Sequence, residues 1–248
     1  MTKNVLITGG ARGIGAATAR LLASQDWRVC INYLSNAQAA QQVVEEITNA
    51  GGSALTIAAN VGLSDDVNRM FEFIDREMGA LQGLVNNAGV IAPMKRFEEM
   101  DPARWNQIVG TNLLGTMLCS REGVLRMSSR YGGAGGSIVN LSTALTRSGA
   151  PNMYVDYAAS KAAIETLTVG LAREVAADGV RVNCVRPGLI NTEIHLSGGD
   201  PERIHKAKDF VPLKRAGEAQ EVAEAICWLL SDKSSYTTGS FIDVSGGV

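Results

Sequence analysis

Short, nearly continuous runs of apolar and β-branched residues recur along the chain. Between them lie longer stretches in which apolar positions return every three to four residues. The first pattern reads as strand and the second as amphipathic helix. Seven runs fit strands: Val5 to Thr8, Arg28 to Tyr33, Ala54 to Ala59, Gly83 to Asn86, Ser137 to Ser142, Arg181 to Val185 and Ser240 to Val244. They are apolar almost throughout, with little alternation, so both faces need cover, which is the condition of a parallel sheet flanked by helices. Asp101 followed by Pro102 marks a helix start, with a capping carboxylate and a residue that has no N–H to satisfy. Val222, Ile226, Leu229 and Leu230 form an apolar stripe suited to a sheet face. Gly132, Gly133, Gly135 and Gly136 read as a connecting loop, because a strand follows them in the running order. With no internal repeat, the pattern predicts an α/β, doubly wound, seven-stranded parallel sheet with helices on both faces, a single domain over residues 1–248.

Composition narrows the function. The 248 residues are 46% hydrophobic and 19% charged, enough apolar material for a sizeable core. Lys and Arg number 23 against 25 Asp and Glu, a formal charge of −2, so the field that gathers nucleic acid or anionic lipid is missing and neither is an expected partner. No apolar run approaches the roughly 18 residues of a membrane helix. Val5, Leu6 and Ile7 before Gly9 are too short for the core of a signal peptide, which predicts a cytoplasmic protein. Cys30, Cys119, Cys184 and Cys227 are scattered among apolar neighbours and read as buried free thiols. His195 and His205 have no ligand-spaced Cys or carboxylate beside them, so no metal site is expected.

Two motifs carry chemistry. The first strand runs into TGGARGIG, with Gly9, Gly10, Gly13 and Gly15 at a strand-to-helix turn. Such a turn aims backbone N–H groups and the positive end of a helix at a ligand, and glycine lets a pyrophosphate come close. The spacing differs from G-x-G-x-x-G. The second motif is YAASK, which puts Lys161 one turn after Tyr157 on the same face of an alanine-rich helix. A tyrosine with a pKa of about 10 needs a shift of about 2 to 3 units, roughly 3 to 4 kcal/mol, to act near neutral pH. An ammonium about 5 Å away at an effective dielectric near 20 supplies roughly 3 kcal/mol of that.

With NNAG at Asn86–Gly89, Asn112 in TNLLG, and Pro187, Gly188 and Thr192, these motifs stand in the order of the short-chain dehydrogenase/reductase family, which the whole chain resembles. The resemblance implies a Rossmann-type fold and a nicotinamide cofactor. It makes Tyr157 the acid for carbonyl reduction and the base for alcohol oxidation, with Lys161 lowering its pKa and holding the ribose hydroxyls. Asn112 would anchor a water that links Lys161 to solvent. The cofactor would meet Gly9, Arg12, Gly13, Ile14 and Gly15 in the turn. It would also meet Asn87, Ala88 and Gly89 on the adenosine side, and Pro187, Gly188, Ile190 and Thr192 near the carboxamide.

The chain departs from the family at three places. The serine that bonds the substrate oxygen usually stands second in a pair; here the pair is Ser142 and Thr143, and Thr143 takes the place by count, because neighbours on a strand face opposite ways. Its hydroxyl donates the same bond, while its methyl narrows the pocket. At the end of the second strand Asn32 and Tyr33 stand where an NAD enzyme offers an acid to the ribose. With Arg12 as a cation and Ser35 as a donor, this points to NADP(H), with NAD(H) as the alternative. Asn60 replaces the usual Asp before Val61 and would meet the adenine amino group through its oxygen.

The residues from Leu189 to Phe210, with Gly198, Gly199, Asp200 and Pro201 and little periodicity before Arg203, read as a substrate lid, His195 and His205 being solvated lid residues. The expected activity is hydride transfer with a small carbonyl or secondary alcohol. The alternatives are a 3-oxoacyl-thioester reductase, with Lys95, Arg96, Arg121, Arg126 and Arg130 as a carrier patch, and a dinucleotide sensor without chemistry. Trp105, Leu113, Leu114, Met117 and Leu118, together with Leu167, Leu171 and Val175, exceed what one sheet face covers. A homo-oligomer, dimer or tetramer, is expected, with the strand around Phe241–Val244 in a second interface.

Overall fold

A computed structural model describes residues 2–199, 202 and 204–248; the side chains of His195, Leu196 and Lys208 are not described. Asp200, Pro201 and Arg203 of the expected lid lie outside the described residues.

Strand β1 (Lys3–Ile7) leads through α1 (Gly13–Ala23) to β2 (Trp27–Tyr33), then α2 (Ala37–Asn49) and β3 (Ser53–Ala58). Next come α3 (Ser64–Glu77), β4 (Gly83–Asn86), α4 (Pro102–Ile108), a π-helical stretch (Val109–Leu114), α5 (Gly115–Met127) and β5 (Gly136–Leu141). The long α6 (Val155–Val175) precedes β6 (Val180–Pro187), β7 (Ile190–Asn191) and two short helices, α7 (Ile194–Ser197) and α8 (Ala207–Phe210). The chain closes with β8 (Gly217–Glu218), α9 (Ala219–Leu230) and β9 (Phe241–Val244).

The seven strands read from the sequence form one sheet, β3-β2-β1-β4-β5-β6-β9, parallel at every pairing. Their ends shift by a residue or two. The two-residue ribbon of β7 with β8 is too short to show a period and was not expected. Val5 and Ile7 enter the core with α1, α2 and α9, while Leu6 between them faces the core built by α3, α5 and α6. This two-sided burial explains why the strands read as unbroken apolar runs. Val222, Ile226, Leu229 and Leu230 are all buried in the first layer. Asp101 caps α4, its Oδ1 accepting from the Arg104 N–H at 2.8 Å.

The order reverses between β1 and β4, so the crevice of the sheet opens at their carboxyl ends, where ligands bind in doubly wound folds. The four cysteines are free and buried, and burial pushes each thiol up to about 12. No helix among the described residues is long and apolar enough to cross a membrane.

Candidate active site

The glycine turn sits at the reversal of the sheet. Gly9 and Gly13 have φ of +62° and +52°, values that L side chains adopt only with strain. A Cβ on Gly15 would lie 2.6 Å from Asn87 Nδ2 and 2.7 Å from Gly9 O, so that position admits only glycine. Asn87 ties β4 to the turn: its Nδ2 donates to Thr8 O and Gly9 O, both at 2.9 Å, and Thr8 Oγ1 accepts from the Asn87 and Ala88 N–H groups. Helix α1 has no side-chain cap and no acid in its first turn. Uncapped N–H groups at the start of an 11-residue helix, with the approach cleared of side chains, fit an anion such as a dinucleotide pyrophosphate.

Helix α6 supplies the reactive side. Tyr157, Lys161 and Glu165 follow one another at a spacing of four on one face. The Tyr157 phenol is buried, with the Thr143 side chain close by and acting against the effect of that burial. Lys161 Nζ donates to Leu141 O at 2.7 Å and lies 5.9 Å from the Tyr157 ring centre. The Ser142 hydroxyl is engaged elsewhere, donating to Glu165 Oε1 at 2.7 Å. Glu165 also accepts from Thr146 and, through two nitrogens, from Arg186. The alternation expected of neighbours at a strand end thus separates Thr143, toward Tyr157, from Ser142, toward Glu165.

The expected lowering of the Tyr157 pKa by Lys161 does not appear in this arrangement. Burial pushes the phenol up to about 12, with only the Thr143 side chain opposing it, and burial pushes Lys161 down to about 8. The cause is desolvation, which disfavours whichever form is charged and so moves an acid and a base in opposite directions.

Several side chains expected to face the cofactor are engaged in the fold. Asn32 is buried; its Oδ1 accepts from the Gly9 N–H at 3.3 Å and its Nδ2 donates to Ala59 O at 3.0 Å, so it braces the turn instead of presenting an amide at the strand end. Asn60 Oδ1, the oxygen assigned to adenine, accepts from the Gly62 N–H at 3.0 Å, a local turn that an Asx side chain forms readily. Gly89, which the family resemblance puts on the adenosine side, stands beside Lys161: a Cβ there would be 3.4 Å from Nζ. Val61 is buried and Ala88 packs on the core. Tyr33 is half-buried and Ser35 exposed at the end of β2. Arg12 is largely exposed, 3.4 Å from Glu193.

Asn112 is fully buried in the π-helical stretch. Its Oδ1 accepts from the Val90 N–H at 2.8 Å, and its Nδ2 donates to Val90 O and Ser160 Oγ, both at 3.1 Å. It clamps the segment after β4 to α6.

These groups meet at a cavity of about 340 Å³. Ile14, Asn87, Gly89, Ser142, Thr143, Tyr157, Lys161, Pro187, Gly188, Ile190 and Thr192 all line it, joined by apolar Ile91, Leu145, Leu189, Ile194 and Phe210. The family model described as enoyl-(acyl carrier protein) reductase matches residues 9–248. The chain belongs to the short-chain dehydrogenase/reductase family.

A solved short-chain type dehydrogenase/reductase from Mycobacterium marinum superposes on this dehydrogenase/reductase with a TM-score of 0.91, at 32% identity, over 99% of this chain and 94% of that one. An uncharacterized oxidoreductase of Escherichia coli K12, YgfF, is 53% identical over 98% of both chains. The 3-oxoacyl-[acyl-carrier-protein] reductase FabG of Staphylococcus aureus Mu50 is 36% identical over 100% of this chain and 98% of its own. The protein is thus an oxidoreductase of this family.

Three features of this short-chain dehydrogenase/reductase escaped the sequence reading. The π-helical turn carrying Asn112 slips the helical phase by one residue, which no apolar period announces. Glu165 was within reach, as the next step of the Tyr157–Lys161 ladder. Arg104 and Asp156, a buried pair beside Tyr157, are 52 residues apart and share no local signal.

Proposed function

We propose that the protein reduces a carbonyl, or oxidises the matching secondary alcohol, with a nicotinamide dinucleotide, NADP(H) in preference to NAD(H). The observation that carries this reading is the convergence of the Thr143 and Tyr157 hydroxyls on one cavity, with Lys161 buried behind them. The cofactor supplies the hydride when bound. The turn from Gly9 to Gly15 would hold its pyrophosphate, Lys161 its ribose hydroxyls, and Pro187 to Thr192 the carboxamide end. Thr143 donates a hydrogen bond to the substrate oxygen and orients it. Tyr157 gives that oxygen its proton, and the Lys161 ammonium stabilises the tyrosinate left behind. Asn112 holds the Val90 segment and α6 in register, and its second Oδ1 lone pair is the place for a water leading to Lys161. Of residues 189–210, the described ones that line the cavity, Leu189, Ile194 and Phe210 among them, act as part of a lid.

A 3-oxoacyl-thioester substrate is the second reading, favoured by the FabG relatives. The proposed carrier patch weighs against it. Arg126, 19% exposed, is held by Asp75 and Glu122, while Arg96 and Arg121 each stand beside a carboxylate, Glu98 and Glu122, so acids are interspersed among its bases. A panel of sugars, ketones, diketones and oxoacyl thioesters, read by NADPH absorbance, tests the proposal. Turnover confined to small carbonyls supports the first reading, and turnover confined to thioesters supports the second. Cofactor binding with no turnover of any class would favour a sensor.

A further inference from the structure

Arg104 on α4 and Asp156, the residue before Tyr157, form an ion pair in which 8% and 5% of the two side chains are exposed. Arg104 Nε donates to Asp156 Oδ2 at 2.6 Å and Nη2 to Oδ1 at 3.1 Å. Asp156 Oδ1 also accepts from the Tyr157 N–H at 2.9 Å, at the start of α6. The third guanidinium nitrogen, Nη1, donates to Pro93 O, in the segment after β4. From there the connection continues. Met94 N–H donates to Gly198 O at 3.3 Å, Lys95 N–H to Met153 O at 3.2 Å, and the buried Tyr154 hydroxyl to Gly198 O at 2.8 Å. Ile91 from this segment, Tyr154 and Tyr157 all line the cavity.

We propose that Arg104 and Asp156 are positioning residues that fix the segment from Ile91 to Lys95 against the start of α6, and through it seat the lid at Gly198 beside Tyr157. The choice of groups argues for position over stability alone. A buried ion pair holds a fold no better than apolar residues of similar volume. A guanidinium, however, presents donors in fixed directions, and here three of them grip two separate pieces of the cavity wall. Lysine would keep the charge and lose the fork. This role rests on the reading of the cavity as a carbonyl site, because only substrate turnover needs lid, segment and phenol in register.

Two variants test it, Arg104→Lys and the double variant Arg104→Met with Asp156→Asn. The double variant leaves no buried charge alone and keeps an acceptor for the Tyr157 N–H. Hydrogen exchange is measured on both, with the Kd for NADPH and the kcat and KM of whichever panel carbonyl the parent turns over fastest. Amides of Met94, Lys95 and Gly198 are expected to exchange faster while those of the sheet stay unchanged. In both variants kcat/KM should fall at least about tenfold, as misplacement of reacting groups does, with the Kd for NADPH within about twofold of the parent. Unchanged exchange at those three amides would overturn the proposal. So would a kcat/KM that survives the double variant, or loss of folded protein in both variants, which would make the pair a stability element. If the parent turns over no carbonyl, the carbonyl reading fails, and the exchange data report separately on the clamp.

Discussion

Tyr157 and Lys161, one turn apart on α6, are displaced in opposite directions by the same burial, the phenol up to about 12 and the ammonium down to about 8. Near neutral pH the pair therefore stands as a protonated phenol beside an ammonium, the form that can donate a proton and stabilise the anion left behind. The sign of the pH dependence follows. Carbonyl reduction should hold its rate below about 8 and fall as pH rises through that value, where Lys161 loses its proton. Turnover numbers followed from about pH 6 to about pH 10 at saturating NADPH check this. A profile flat to about pH 10 would show that the ammonium is not needed.

The division of labour between neighbours at the end of β5 gives a second expectation. Thr143→Ala removes the hydroxyl that faces Tyr157 and should lower kcat about 100-fold, the usual cost of one preorganised donor. Thr143→Ser should keep most of the activity and widen the pocket by one methyl. Ser142→Ala deletes bonds to Glu165 and to the Lys161 backbone carbonyl, neither directed at Tyr157, and should cost less than Thr143→Ala. Steady-state kinetics of the three variants decide the order, and the reverse order would assign the substrate bond to Ser142.

The third expectation concerns the cofactor. Both partners of the Arg12–Glu193 contact are mostly exposed, so the contact is weak and leaves the guanidinium available to a 2′-phosphate. NADPH should bind about tenfold to about a hundredfold tighter than NADH, the worth of a charge-assisted contact, and Arg12→Ala should narrow the gap. Calorimetric titration with both cofactors measures it. Equal affinities, unaffected by Arg12→Ala, would remove Arg12 from phosphate recognition.

What the sequence made legible is what acts through near neighbours. The glycine turn and the Tyr157–Lys161 spacing are local geometry, and the strands announce themselves by two-sided burial. Asn32 at the end of β2 shows the limit: the sequence gives its uncharged amide, and only packing shows that the amide turns inward to Gly9 and Ala59. The balance between burial and Coulomb attraction at Tyr157 also lay beyond the sequence, since spacing alone gives the charge and not the desolvation. The pairs Arg104–Asp156 and Glu165–Arg186 join elements distant along the chain, and only the fold brings them together.

A fourth expectation is self-association. Of the side chains expected at an interface, Val175 is buried and Leu171 is partly buried against the core, so they leave little surface to cover. Leu114 and Met117 remain 44% and 46% exposed, with Val109 and Leu125 nearby at 45% and 36%, an apolar band along the π-helical stretch and α5. Strand β9 stands at the sheet edge and, among the described residues, pairs only with β6. Light scattering should give a dimer or tetramer, and Met117→Glu should shift it toward the 26.2 kDa monomer. A parent protein that stays monomeric on concentration would rule out the interface.

The proton donor is the centre of the account, and Tyr157→Phe tests it most directly. The substitution deletes one hydroxyl from a buried ring and leaves the glycine turn and Lys161 in place. With NADPH and the best carbonyl of the panel, kcat should fall by about 100-fold to about 10,000-fold, the range for loss of a general acid, while the Kd for NADPH stays within about twofold of the parent. Retention of more than about a tenth of the parent turnover, with cofactor binding intact, would contradict the assignment of Tyr157 as the acid.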